Sequence, residues 1–140
     1  DEPELDEPLR MSKFFAVLRP DWAAELFAEA ERRDYLPNAL IFRQGDKLDA
    51  GILLVISGAM TLYLQEESGG TAGAGLPRGP PQRINTLRAG ESVGDVDVLD
   101  GEERSVSCVA EAEGCTVAVI SREAFLAFVR RRPRALHFYL

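Results

Sequence analysis

Residues 52–56 read Ile-Leu-Leu-Val-Ile, an apolar run without a break. Residues 59–65 then alternate, with Met60, Leu62 and Leu64 on one side and Thr61, Tyr63 and Gln65 on the other. An unbroken run of that length is a strand covered on both faces. Strict alternation is a strand with one wet face. Glycine turns bound them, Gln44-Gly45-Asp46 before the first and Ser57-Gly58 between the two. The pattern recurs over residues 39–43, 82–88, 105–110 and 115–120. Short strands at short spacing with glycine turns predict an antiparallel β-roll of the jelly-roll kind. The expected fold is α+β, an eight-stranded roll flanked by N-terminal and C-terminal helices.

The helices are read from period 3.6. Pro20-Asp21 suits a first turn. Trp22, Leu26, Phe27 and Ala30 then share one face, which predicts a helix over 20–36 with Trp22 as a core anchor. Glu25, Glu29, Glu31 and Arg32 read as its solvated side. After the roll (39–120), Ser121 is a candidate N-cap with Glu123 in the first turn. Ala124, Phe125, Phe128 and Val129 form a stripe, and Arg130 to Arg132 suit the C-terminal end. Helical structure is expected over 121–140, interrupted at Pro133. Residues 1–19 read as an acidic leader with a short helix. Residues 66–81 are rich in glycine and proline and read as a flexible hairpin loop. A phosphate loop is not the reading there, because no Gly-Lys-Ser/Thr follows.

A chain of 140 residues with 46% hydrophobic content is one domain, 20–140, with its own core. The net charge of −7 argues against nucleic acid and anionic membrane surfaces as partners. There is no basic-then-apolar leader. The stretch over 50–64 is too short and too broken to span a bilayer. A cytoplasmic setting is expected, and the acidic start reads as a fragment of something longer. Cys108 and Cys115 fall in apolar strand patterns, so buried free thiols are expected. One histidine, His137, leaves no cluster for a jelly-roll metal enzyme. No metal, no cofactor and no enzymatic activity are expected.

Residues 90–106 concentrate the binding chemistry: Gly-Glu-Ser-Val-Gly-Asp-Val-Asp-Val-Leu-Asp-Gly-Glu-Glu-Arg-Ser-Val. Gly94 lets the backbone approach a ligand. Successive N–H groups in such a turn point at an anion. Arg104 adds a planar fork of donors for two phosphate oxygens. Asp95 supplies an acceptor for hydroxyls. Asp95 and Asp97 share a face on an extended backbone, and the reading of them as paired catalytic carboxylates stands beside that of solvated or capping acids.

This stretch resembles the phosphate-binding cassette of cyclic-nucleotide-binding domains, with Gly94, Asp95, Leu99 or Val98, Arg104 and Val106 in matching places. Residues 41–46 (Ile-Phe-Arg-Gln-Gly-Asp) resemble the family's strand and Gln-Gly-Asp turn. Residues 52–58 resemble its apolar strand ending in Ser-Gly, and residues 115–125 its last strand and following helix. The resemblance covers residues 20–133. It implies a regulatory domain sensing cAMP or cGMP, with Gly94, Asp95, Val96, Asp97, Arg104 and Ser105 as ligand-binding residues. It also implies apolar strands around the base and a C-terminal helix that lids the site and relays occupancy to other domains of the chain. Ser105, a hydroxyl after the arginine, is the kind of residue found in members that accept guanine. Residues 120–140 resemble the domains fused to sulfate-permease-family anion transporters, which implies the cytosolic part of a membrane protein, without direct membrane contact from this segment.

Three positions depart from the pattern: Val93 replaces a phenylalanine, Asp95 a glutamate, and Asp97 a small alanine. A carboxylate about 5 Å from a bound anion repels it by roughly 3 kcal/mol at an effective dielectric of about 20. That is about two decades of affinity. The alternative function is therefore a degenerate, non-binding domain of the same fold, acting as a structural or protein-interaction module.

Overall fold

The computed structural model describes residues 20–47, 51–66, 79–94, 98 and 103–134. The leader expected over 1–19, most of the loop expected over 66–81 and the last turns over 135–140 lie outside those residues. Along the chain come α1 (Pro20–Phe27), β1 (Glu31–Tyr35), β2 (Leu40–Phe42), β3 (Ile52–Leu64), β4 (Gln82–Arg88), β5 (Ser92–Val93), β6 (Ser107–Ile120) and α2 (Arg122–Arg131). Every strand pair among the described residues is antiparallel: the sheet runs β1-β6-β3-β4, with β2 added on β6 and β5 on β3.

Among the described residues six strands form where eight are expected. Two pairs of expected strands, 52–56 with 59–65 and 105–110 with 115–120, are single strands, while β1 and β5 are strands that the sequence pattern does not predict. Ser57-Gly58 and residues 111–114 separate the members of each pair in the sequence. Both are bulges inside continuous strands. The β3–β6 register shifts between Val55 and Ser57, and again between Gly58 and Met60. Gly58 (φ 77°) and Gly114 (φ 79°) absorb the bends in the left-handed region.

The bulges also change which residues face inward. Before the β3 bulge Leu53 and Val55 point into one core cluster, whereas after it Met60 and Leu62 do. On β6, Cys108 and Ala110 face that cluster before Gly114, and Cys115, Val117 and Val119 after it. An odd number of extra residues flips the side-chain parity of a strand. The two flips lie close together on the ladder, separated by the pairs Ser57↔Thr116 and Gly58↔Cys115, so both strands keep an apolar interior along their length.

The two faces of the sheet thus carry two cores. Leu53, Val55, Met60, Leu87, Cys108, Val117 and Phe42 fill the inside of the roll. Ile52, Leu54, Ile56, Ala118 and Ile120 face the helices, with Leu26 of α1 and Phe125 and Phe128 of α2. Each fully buried phenylalanine contributes about 1.5–3 kcal/mol by leaving water. This two-sided cover explains the unbroken apolar run at residues 52–56.

The N-terminal helix is shorter than the expected 20–36. It ends at Phe27, and Glu31–Tyr35 is a strand paired with β6 from Glu31↔Val119 to Tyr35↔Cys115. Its residues Glu-Arg-Arg-Asp are exposed. Their charges suit a strand with one free edge, where they discourage further pairing. Ser121 caps α2, its hydroxyl accepting from the Ala124 N–H at 3.0 Å. Glu25 is not a plain solvated residue. It bridges the helices, 2.8 Å from Arg131 Nη2 and 3.1 Å from Arg132 Nη2. The Arg132 guanidinium also lies 5.8 Å from the Trp22 ring centroid.

Candidate functional site

Arg104 is the centre of the site. Its side chain is only 2% exposed, and all three guanidinium nitrogens are buried. Such burial is costly for a cation unless the surroundings compensate. One face of the guanidinium stacks on Phe42, with the central carbon 4.2 Å from the ring centroid. On another side lies Gly94, buried and at φ 106°. A Cβ there would come within 2.7 Å of Arg104 Nη1 and 2.5 Å of the Gly51 carbonyl oxygen. Only glycine lets this backbone come so close to the arginine.

The Gln44–Asp46 turn holds the arginine's main chain. The Gly45 N–H donates to the Arg104 carbonyl at 2.9 Å, and the Arg104 N–H donates to the Asp46 carbonyl at 2.8 Å. The turn is itself closed twice. Asp46 N–H donates to the Arg43 carbonyl, and the Asp46 carboxylate accepts from the Arg43 N–H, both at 2.9 Å. Gly45 needs its φ of 93° for this, although nothing crowds it. Gln44 ties the turn to the roll. Its side-chain amide both accepts from the Gln65 N–H (2.9 Å) and donates to the Gln65 carbonyl (3.1 Å). Its own N–H donates to Ser107 Oγ at 2.8 Å.

The cassette is anchored at Val98, 1% exposed within the helix-facing core. Its N–H donates to the Gly94 carbonyl at 2.9 Å. Of the candidate ligand-binding residues, the structure brings Gly94 and Arg104 together. Ser105 follows Arg104 but is exposed. Asp95, Val96 and Asp97 lie outside the described residues. Phe42 and the mounting role of the Gln44–Asp46 turn are absent from the sequence reading. The only sequence signal for them is the turn motif itself, which does not say what it touches.

Inside the roll sit the two thiols, both free, with Cys108 close enough to the arginine to feel its charge. Burial pushes the Cys108 thiol up to about 12, with the neighbouring Cys115 adding to the rise and Arg104 opposing it. Burial pushes Cys115 up to about 11, helped by Glu113. Neither is an activated nucleophile. Among the described residues, no group of three or more His, Cys, Asp or Glu side chains could hold a metal. No helix among them is long and apolar enough to cross a membrane.

The site thus sets a buried arginine against Gly94 on an antiparallel roll whose other face is covered by the helices. The chain belongs to the cyclic nucleotide-binding domain family, whose model matches residues 32–132. It is 33% identical over 129 residues to the cyclic AMP receptor protein of Thermus thermophilus, covering 92% of this chain and 54% of that protein. It is 26% identical over 117 residues to the cGMP-dependent protein kinase of Plasmodium berghei, covering 84% of this chain and 12% of the kinase. In three dimensions it resembles a cyclic nucleotide binding protein from Ruegeria pomeroyi, with TM-score 0.78 and 24% identity, over 96% of this chain and 54% of that one. This last likeness shows the fold. The chain spans about half the length of the bacterial receptor and a small part of the kinase.

Proposed function

We propose that this domain is a cyclic-nucleotide sensor that regulates the protein carrying it, taking cAMP or cGMP. The carrying observation is the Arg104 guanidinium, buried on Phe42 with Nη1 against Gly94. An arginine fork held this way suits the two free oxygens of a cyclic phosphodiester. The residues around Gly94 and Arg104, with Asp95, Val96, Asp97 and Ser105, form the ligand site of this reading. Apolar strands of the roll beside the site hold the base in this reading. The ligand does the work, and no catalytic step or cofactor is needed.

Signal leaves through the helices. The cassette anchor Val98 packs in the same core as Leu26, Phe125 and Phe128. A ligand that draws the cassette toward Arg104 shifts that core, and with it the position of α2. A cytosolic setting fits, since that is where such a ligand would be met. Neither relative named above is an anion transporter, and the sulfate-permease host expected from residues 120–140 is not part of this reading.

A thermal melt with millimolar cAMP, and separately cGMP, tests it. A ligand at about 100 times its Kd stabilises by about 2.7 kcal/mol. For a domain of this size that raises Tm by roughly 8 °C. The rise should vanish in Arg104→Ala. No rise with either nucleotide would sink the sensor reading. Binding recovered in Asp97→Ala would then show that one carboxylate closes the pocket.

A further inference from the structure

We infer that Phe42 is the positioning residue for the phosphate-binding arginine. This rests on the sensor reading above. One short segment, residues 42–46, grips Arg104 at both ends. The turn pins its backbone through Gly45 and Asp46, and Phe42 supports the guanidinium 4.2 Å below its carbon. Phe42 is placed for this by β2, where it pairs with Cys108 and is 8% exposed.

The geometry has a consequence for binding. A guanidinium lying on a ring has one face covered, and its N–H groups point outward in its own plane. Here that plane brings Nη1 beside Gly94, at the start of the cassette. A ring therefore does more than fill space. It fixes the fork in the orientation the anion meets, and its negative face steadies the charge before a ligand arrives. An aliphatic side chain of similar size fills the volume without the second effect.

The test compares Phe42→Leu, Phe42→Tyr and a domain carrying pentafluorophenylalanine at position 42. The fluorinated ring keeps the shape and removes the negative face, which guards against a leucine variant that fails to fold. Cyclic AMP and cGMP binding is read by calorimetry, and the Arg104 guanidinium protons by NMR. Wild type should show those protons shifted upfield by the ring. The leucine and fluorinated domains should bind about tenfold more weakly, and tyrosine should restore binding to near wild type. Wild type that binds, beside leucine and fluorinated domains that bind equally well, overturns the role of Phe42 and leaves the sensor intact. Wild type that binds neither nucleotide overturns the sensor, and the role of Phe42 with it.

Discussion

Gly58 and Gly114 meet across the two long strands so closely that a Cβ on Gly58 would lie 2.2 Å from the Gly114 carbonyl oxygen. The contact is backbone to backbone, and no flexible side chain can yield. Gly58 also needs φ 77°, which L-residues adopt at a cost. Gly58→Ala should therefore destabilise the domain by about 3 kcal/mol or more, read as a lower urea midpoint. Gly45→Ala is the control. Its φ of 93° is equally foreign to alanine, but nothing lies within 4 Å. It should cost only about 1–2 kcal/mol. Equal losses at the two sites would mean that the close approach contributes nothing.

These bulges also mark where the sequence stops being legible. Ser-Gly within an apolar pattern reads as a turn, because glycine in the left-handed region is what reversals use. Only a partner strand decides that the chain continues, and Gly114 is far from Gly58 in sequence. Strand β1 was illegible for another reason. Glu31, Arg32, Arg33 and Asp34 carry no apolar alternation, and the strand exists because β6 offers it a ladder. What was legible depended on local chemistry, as with the Ser121 cap, the stripe of α2 and the strand over 82–88. Gly94 and Arg104 were legible through the order of motifs around them. The stacking of Arg104 on Phe42 was not, since no periodicity links a strand residue to a cassette residue.

The buried thiols give the domain an alkaline limit. With Cys108 raised to about 12 and Cys115 to about 11, both stay protonated in the folded state at pH values where an unfolded thiol ionises. The folded state then holds more protons, so stability falls as pH rises above the unfolded value of about 8.5. By pH 10 the loss is roughly 2 kcal/mol per thiol. Chemical melts from pH 7 to 10 should show this slope, and Cys108→Ala should flatten it by about half. A thiol-reactive disulfide reagent at pH 8 should label neither cysteine until denaturant is added. Rapid labelling of the native domain would contradict the buried setting.

The Glu25 bridge sets the acid side. Its hydrogen bond to Arg131 holds the carboxyl below the usual range, opposed by partial desolvation and helped by Arg132. A carboxylate with a depressed folded value stabilises above its unfolded value, about 4.3, and loses that contribution as pH falls through the folded one. Glu25→Gln should thus melt below wild type at pH 7, and the two should converge as pH approaches 3. The gap should also narrow in high salt, as the arginines of the bridge are half exposed to solvent. A gap unchanged by pH and salt would assign the effect to packing between α1 and α2.

Arg104→Lys separates charge from geometry at the site. Lysine keeps the positive charge but offers a compact ammonium on a flexible stem, with neither a planar fork nor a plane to lay on Phe42. The backbone mount survives the change, because Gly45 and Asp46 bind only the main chain of residue 104. The variant should fold with a Tm close to wild type. It should bind cyclic nucleotide more weakly by about 2 kcal/mol, or roughly thirtyfold, as calorimetry reads it. Affinity equal to wild type would show that a point charge suffices and that the stacked fork is incidental. A collapse of the fold would show instead that the guanidinium is a structural part of the roll, since its contacts to Phe42 and Gly94 are then what the interior cannot do without.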